Sequence, residues 1–259
     1  NPTSLSQTCS SVADGKCTLR RALRQVAATP LADRPIEIRF NLPITDTNKD
    51  LEVSGTWTLD IEAALPALLG GSVTIDGNSQ PGGRSTGPKI ILNTNDDSFS
   101  VESEDNVIRN LSIKGGGVIF LKGERNTVEK VWMGPTDDGQ SIHFRTPGDE
   151  KRMAGGGIFI TGHDNIIQDN VIAGAYARAV DVGSGYQNNL IQRNFIGTRA
   201  DGTVPAVAEA AQCLRSFDYD TQNWYGGWGI ALAGSNNKVL NNRIAGLHIL
   251  QGANDTPPM

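Results

Sequence analysis

The stretch Asn165–Gly174, which reads Asn-Ile-Ile-Gln-Asp-Asn-Val-Ile-Ala-Gly, decides the fold because variants of it recur along the chain. Each variant has Asn first, an aliphatic residue third, Ile or Met eighth, and Gly ninth or tenth. The copies are Asn106–Gly115, Asn126–Gly134, Asn165–Gly174, Asn189–Gly197 and Asn237–Gly246. They start 20, 39, 24 and 48 residues apart, as expected for one period of about 20 to 24 residues with occasional insertions. Repeats this short cannot bury their own faces alone, so they predict a stacked solenoid.

Short strands, not helices, fill each period. A second strand opening on Gly or Ala follows most copies: Gly117–Phe120, Gly157–Ile160, Ala179–Val182 and Gly229–Leu232. No period contains a pattern typical of a ten-residue helix, which excludes helical-pair repeats and leucine-rich horseshoes. The sequence therefore predicts an all-β, single-stranded parallel β-helix whose third and eighth repeat positions face the interior. A β-sandwich with Asn-rich turns is the alternative, but its hairpin dipeptides are scarce here.

The recurring Asn has a physical role in such a stack. Asn tolerates left-handed backbone at a sharp bend, and its amide can bond the turns above and below. Gly closes each strand where the chain turns tightly. We therefore expect the Asn residues at the corners of the solenoid.

Composition bounds the class of protein. The chain has 259 residues, 38% of them apolar, with a net charge of −5 and a pI near 5.2. This length suits one elongated domain, 1–259, and the negative charge argues against nucleic acid or an anionic membrane as partner. No run approaches 18 apolar residues, so no membrane insertion is expected. Because the chain starts at Asn1 without Met, we expect a processed or trimmed product.

The chain divides into five segments along this domain. An N-terminal cap, 1–35, contains a helix that Thr18 begins and Pro30 ends, with Leu19, Ala22, Leu23 and Val26 on one face. Such a helix can cover the open end of a solenoid. The other segments are early rungs at 36–134, insertions at 135–155 and 198–227, and later rungs at 156–252.

Three phrases carry a resemblance to known proteins. Cys17–Leu23 (Cys-Thr-Leu-Arg-Arg-Ala-Leu) resembles the CSLREA motif that opens many secreted bacterial right-handed β-helix proteins. The strand ending Phe40–Pro43 and the phrase Ile75–Gly82 resemble segments that commonly follow that motif, and the Asn repeats resemble the pectate-lyase-like superfamily. The resemblance covers most of the chain and implies a right-handed parallel β-helix that is secreted or on the cell surface. It leaves the activity open, because that superfamily holds lyases, hydrolases, transferases and adhesins.

The cysteines agree with export. Cys9 and Cys17 flank a polar turn and can form a disulfide that closes a small loop, or remain two free thiols. Cys213 is left over.

The two insertions interrupt the repeat at the same place, between the Asn phrase and the Gly-strand. Insertions at equivalent positions emerge on one side of a solenoid, and long loops without regular structure are often functional. The turn between them carries only Ala175–Arg178, so we expect a groove there. Aligning the Gly-strands predicts one outward column of Ile119, Phe159, Asp181 and Ala231. Asp181 is the carboxylate in that column, and it is the leading candidate for a catalytic residue.

A glycoside hydrolase needs two carboxylates. Further catalytic candidates from the insertions are Asp138, Asp218 and Asp220. Aromatic rings beside carboxylates suit sugars, because flat rings pack against the apolar faces of pyranoses. The residues expected to bind substrate are Arg178, Tyr176, Trp224, Tyr225, His143 and Arg145.

A polysaccharide lyase would instead use Arg or Lys as base, often with Ca²⁺ held by several carboxylates. No dense carboxylate cluster appears, and Asp46–Asp50 lacks the Gly and Glu of a calcium loop, so we interpret it as a turn. The three His residues have no metal-ligand spacing. We therefore expect no metal or other cofactor, with Ca²⁺ the only one left open.

Two functions remain after these observations. One is a secreted carbohydrate-active enzyme, a glycoside hydrolase or lyase, that acts on a polysaccharide or oligosaccharide in the groove around Asp181. The other is a non-catalytic surface protein, an adhesin or a self-assembling module. An uncapped last rung exposes strand edges, which favours self-association through that end.

Overall fold

The computed structural model describes residues 17–47, 49–50, 55–95, 97–142, 156–175, 178–204, 215–218, 223–226 and 228–245. Across these ranges the chain is mostly strand with one α-helix, and almost all strand pairs are parallel. Three sheets hold the parallel strands. The architecture is therefore all-β with parallel strands, consistent with a parallel β-helix and not with a β-sandwich.

Sheet A and sheet B are the two larger sheets. Sheet A consists, in spatial order, of β1 (Ile36–Arg39), β4 (Val73–Asp76), β7 (Val107–Arg109), β10 (Thr127–Glu129), β13 (Ile166–Gln168), β16 (Leu190–Gln192) and β21 (Lys238–Leu240). Sheet B consists of β2 (Lys49–Asp50), β3 (Thr56–Asp60), β5 (Ile90–Asn93), β8 (Leu111–Lys114), β11 (Trp132–Met133), β14 (Val171–Ile172), β17 (Phe195–Ile196) and β22 (Arg243–Ile244). Only β2 pairs antiparallel in sheet B, with β3.

Sheet C is smaller and lies between sheets B and A in chain order. Its strands are β6 (Phe99–Val101), β9 (Ile119–Leu121), β12 (Ile158–Ile160), β15 (Arg178–Val182) and β20 (Trp228–Leu232). A separate antiparallel hairpin pairs β18 (Arg215–Asp218) with β19 (Asn223–Gly226). The second insertion therefore contains regular structure, contrary to the expectation of an irregular loop.

Successive strands visit the three sheets in turn. From β7 the chain runs to β8 in sheet B, to β9 in sheet C and back to β10 in sheet A. Each strand pairs with its counterpart one turn away, so Val128 lies between Ile108 and Ile167, and Met133 lies between Ile113 and Ile172. The repeat in the sequence thus becomes one rung in each sheet.

The predicted interior positions form the core. The third-position residues Ile108, Val128, Ile167 and Ile191 and the eighth-position residues Ile113, Met133, Ile172 and Ile196 are at most 2% exposed. At about 25 cal/mol per Å² of buried apolar surface, such stacked columns are the main stabilising term. This part of the prediction is confirmed.

A ladder of Asn side chains runs along the corner before sheet A. The Oδ1 of each Asn accepts the backbone N–H of the Asn one rung earlier, at 3.0 Å from Asn106 to Asn126, 2.9 Å from Asn126 to Asn165 and 2.9 Å from Asn165 to Asn189. A second ladder joins Asn170 to Asn194 at 3.0 Å. Each such bond contributes about 1 kcal/mol, and a buried N–H left unpaired costs about 1–3 kcal/mol.

The left-handed backbone lies one residue before these Asn residues. Asp105, Arg125 and Asp164 have φ of 59°, 53° and 57°, whereas the ladder Asn residues that follow them are not in that region. The expectation that the amides bond neighbouring turns is confirmed, but the repeated Asn is not itself the bend. Its side chain fills the corner that the preceding residue turns.

Helix α1 spans Leu19–Ala28, and Thr18 caps it by accepting the N–H of Arg21 at 3.3 Å. Leu23 and Val26 are buried and belong to the same core as the strands. The predicted start and the apolar face are therefore confirmed. Among the described residues, no helix has the length and apolar composition needed to cross a membrane.

Candidate functional site

Strand β15 places Asp181 on the outer face of sheet C. Its neighbours Val180 and Val182 are fully buried, because alternate residues of a strand point to opposite faces. The Asp181 carboxylate therefore points away from the core, and its side chain is 14% exposed.

Arg178 lies on the same strand and forms an ion pair with Asp181. The distance from Nη1 to Oδ2 is 2.5 Å, and the Arg178 side chain is 42% exposed. Residue 178 had been predicted as a substrate-binding residue beside Asp181, and the structure does bring the two together. The pair therefore places a mostly buried carboxylate beside a partly exposed guanidinium on this face.

Two Phe residues continue the outward column beyond Asp181. In the strand register Asp181 pairs with Phe159, and Phe159 pairs with Phe120. The Phe rings are half-buried, with centroids 5.5 Å apart and planes inclined by 39°. The predicted alignment was wrong by one residue at this rung, because Ile119 is fully buried and Phe120 takes the outward position.

A second outward column lies two residues further along each strand. It contains an ion pair between Lys122 and Glu102 at 2.8 Å, followed by the uncharged Thr161. The hydrogen bond from Lys122 lowers the pKa of the Glu102 carboxyl, as does one from the Ser100 hydroxyl. Carboxylates on this face of the described chain are therefore matched by a cation.

On the outer face of sheet B, segments containing Gly87, Gly139 and Gly202 lie against the aromatic side chains. A Cβ added to Gly87 or Gly139 would lie 2.6 and 2.8 Å from the Trp132 ring, and one added to Gly202 would lie 2.9 Å from Phe195. The first insertion also meets the second there, since the N–H of Ala200 donates to the Gly139 carbonyl at 3.1 Å. The described starts of both insertions thus cover sheet B and do not wall a groove on sheet C.

Arg84 and Lys114 hold the first insertion against sheet B. The Arg84 guanidinium lies 5.0 Å from the Trp132 ring centroid and donates to the Asp137 carbonyl. Lys114 pairs with the Asp137 carboxylate at 3.0 Å. Desolvation lowers the pKa of Arg84, while Asp137 and Asp138 oppose that shift. None of these contacts was foreseen, since the sequence does not show which face an insertion covers.

Asp138 belongs to this covering turn. Its Oδ1 accepts the Thr136 hydroxyl at 2.6 Å and the Gln140 N–H at 3.0 Å, and these bonds lower the pKa of its carboxyl. Within the described ranges, no hydrogen bond or ion pair joins it to Asp181. A carboxyl with a lowered pKa is ionised at neutral pH and is poorly suited to act as a general acid.

Three of the other predicted site residues lie in the β18–β19 hairpin. Asp218 pairs with Asn223 in the β18–β19 hairpin, and Trp224 and Tyr225 lie on its second strand, but their side chains are not described. The remaining predicted residues lie outside the described residues: Asp220, Tyr176, His143 and Arg145. Their roles stay predictions.

No group of three His, Cys, Asp or Glu residues is placed to hold a metal ion among the described residues. The Asp46 carbonyl accepts the N–H of Lys49 at 3.2 Å, which agrees with the predicted turn at the start of Asp46–Asp50, whereas Lys49–Asp50 forms β2. Cys17 is disulfide-bonded. Cys9 and Cys213 lie outside the described residues, so the pairing of Cys17 with Cys9 stays a prediction.

Comparison with known proteins assigns no family and no function to this site. No protein-family model, no curated protein and no solved structure matches the chain.

Proposed function

We propose that this chain is a secreted carbohydrate-active protein, built as a closed right-handed parallel β-helix whose first turn is capped by α1. It acts on a polysaccharide at the outer face of sheet C, around Asp181. The resemblance of Cys17–Leu23 to an export-associated motif supports the location, and the cycling of strands through sheets A, B and C supports the solenoid.

One observation carries the proposed function: Asp181 and Arg178 stand beside the half-buried ring of Phe159 on a sheet face. A carboxylate and a guanidinium can bond sugar hydroxyls, while an aromatic ring packs against the C–H face of a pyranose. A surface that combines these polar and apolar groups can bind both the hydroxyls and the C–H face of a sugar.

The proposed reaction is hydrolysis or elimination of a glycosidic bond. A hydrolase requires a second carboxylate near Asp181, and Asp218 and Asp220 remain the candidates, because Asp138 is engaged in its own turn. A lyase requires a base, for which Arg178 is the candidate beside Asp181. Ca²⁺ belongs to the lyase alternative alone.

The test is product formation across a polysaccharide panel with the wild type and Asp181→Asn. Reducing-sugar release measures cleavage of either kind, and ultraviolet absorbance of an unsaturated product identifies elimination. Activity that Asp181→Asn abolishes in a folded protein supports the enzyme. Wild-type protein that neither binds nor cleaves any glycan would refute the proposal.

A second candidate function is assembly through the last described rung. Leu232, Val239 and Ile244 end the three interior columns and are 43%, 39% and 40% exposed, whereas Val182 and Ile191 one rung earlier are fully buried. Exposed apolar columns, and strand edges that have no partner among the described residues, favour addition of another strand layer. Sedimentation analysis tests this: Val239→Glu with Ile244→Glu should remove any oligomer. An unchanged sedimentation coefficient in a folded variant would exclude this surface.

A further inference from the structure

The outer face of sheet C presents an ordered set of side chains, of which Asp181 is one. It consists of two outward columns: Ser100, Phe120, Phe159, Asp181 and Ala231 in the first, and Glu102, Lys122, Thr161, Gly183 and Ala233 in the second. Rings, charges and small residues occupy different rungs of these columns. Their order along the stack restricts what kind of glycan can bind.

From this arrangement we infer that the face binds a neutral polysaccharide, with two consecutive sugar rings packed on Phe120 and Phe159. The inference rests on the proposed carbohydrate function and names its substrate class and two residues that bind it. The glycan chain runs along the column, across the strands, and leads from the two Phe residues to Asp181.

The direction in which the glycan crosses sheet C follows from the register of its strands. Phe120, Phe159 and Asp181 occupy three successive strands, which lie about 4.8 Å apart. A glycan lying parallel to a strand would meet one of the two rings, whereas a glycan crossing the strands meets both and then reaches Asp181. The 5.5 Å between ring centroids leaves each ring available to a separate sugar.

Their position beside Asp181 distinguishes these rings from the aromatic residues on the outer face of sheet B, which are also partly exposed. On sheet B, Trp132 lies under Gly87 and Gly139, and Phe195 lies under Gly202. Phe120 and Phe159 contact each other and remain half-buried. Leaving part of an apolar ring in water costs free energy, which a sugar with a C–H face recovers on binding.

The charge of the face decides between neutral and acidic glycans. Asp181 pairs with Arg178, and Glu102 pairs with Lys122, so each anion in the described columns has a cation beside it. A polyuronate would need cations in excess, and the chain as a whole carries −5. Hydroxyl groups, in contrast, can bond either member of a neutral ion pair.

The experiment is calorimetric titration of the full chain with neutral cello-, xylo- and manno-oligosaccharides and, in parallel, with oligogalacturonates and oligomannuronates. One neutral series should bind with an affinity that changes little between low and high salt, because no net charge is involved. Phe120→Leu and Phe159→Leu should each weaken binding about three- to tenfold. Phe→Tyr at the same positions should restore it.

Phe195→Leu, which removes a ring covered by the second insertion, is the matched control and should leave affinity unchanged. The inference fails if only the acidic glycans bind, or if neutral glycans bind equally to the Phe→Leu variants with unchanged circular dichroism. Either result leaves a glycan-binding protein, whereas absence of binding to every glycan refutes the proposed function as well.

Discussion

Sheets B and C both have aromatic residues on their outer faces, but these residues have different neighbours on the two sheets. Trp132 and Phe195 on sheet B lie beneath folded-back segments containing Gly139 and Gly202. Phe120 and Phe159 on sheet C lie half-buried, next to the ion pair of Asp181. All four rings are partly exposed, so the difference lies in their neighbours: the rings of sheet B hold the segments at Gly139 and Gly202 in place, whereas the rings of sheet C contact each other beside a carboxylate.

Substitution of Gly139 should have the largest effect, because it disturbs the covering segment. Gly139 has φ of 74°, and an added Cβ would lie 2.7 Å from that of Ala200. Gly139→Val combines backbone strain with overpacking and should cost about 3 kcal/mol in urea unfolding. Thr161→Val on sheet C is the control and should stay within about 0.5 kcal/mol of the wild type. Equal losses of unfolding free energy in the two variants would contradict the difference between the outer faces of sheets B and C.

The aromatic residues themselves provide the next comparison. Trp132→Leu removes a ring that Arg84 and two Gly residues contact, and should lower the free energy of unfolding by about 2 kcal/mol. Phe159→Leu on sheet C should cost less than about 1 kcal/mol, because Leu replaces most of the apolar surface that a partly exposed Phe ring buries, whereas it replaces less of the larger Trp ring. Chemical denaturation of both variants checks the order, and the reverse order would contradict it.

Removing the cation of an ion pair should destabilise the fold more for Lys114–Asp137 on sheet B than for Lys122–Glu102 on sheet C. The Lys114–Asp137 pair on sheet B has side chains 25% and 12% exposed, whereas the Lys122–Glu102 pair on sheet C has 50% and 39%. Lys114→Met leaves a largely buried carboxylate without this cation and should cost about 1–2 kcal/mol. Lys122→Met should produce no measurable change in thermal melting, since exposed pairs contribute little. A destabilising Lys122→Met would overturn this ranking.

The smallest expected effect is the pH dependence of the Asp138 turn. Bonds from the Thr136 hydroxyl and the Gln140 N–H lower the folded-state pKa of Asp138 below its usual value of about 3.9. A lowered pKa stabilises the fold above the unfolded value, and that contribution is lost as pH falls through the folded pKa.

Asp138→Asn resembles the protonated acid, so it should lower Tm slightly at neutral pH and match the wild type in acid. Melting curves measured from neutral to acid pH check this. A difference in Tm that grows as the pH falls would contradict the assigned sign.

Much of the fold was predictable from local patterns. Thr18 and the spacing of Leu19, Leu23 and Val26 were enough to place α1, because capping and helical periodicity act within a few residues. The interior columns followed from the third and eighth repeat positions, since a period-2 pattern assigns each residue to one face. The error at Ile119 shows the limit, because a one-residue shift exchanges the faces and nothing local fixes it.

The candidate site was predictable only in part. Asp181 and its neighbour Arg178 could be found because both interrupt a strand of small aliphatic residues. The contact between Phe120 and Phe159 could not be predicted, because these residues lie 39 positions apart in the sequence, on either side of an insertion, and meet only when their strands pair. The position of the first insertion over Trp132 likewise depends on Arg84, which is remote in sequence.

The amino-acid sequence by itself determined that short strands repeat, that Asn side chains occupy their corners and that aliphatic residues fill the interior, because each of these is a property of spacing within one turn. The tertiary structure alone decided that the described starts of both insertions lie over the outer face of sheet B. Where an insertion folds depends on contacts such as Lys114 with Asp137, whose partners meet only after the turns have stacked. For that reason the sequence points to Asp181, but only the assembled sheets put Phe120, Phe159 and Asp181 side by side on one outer face.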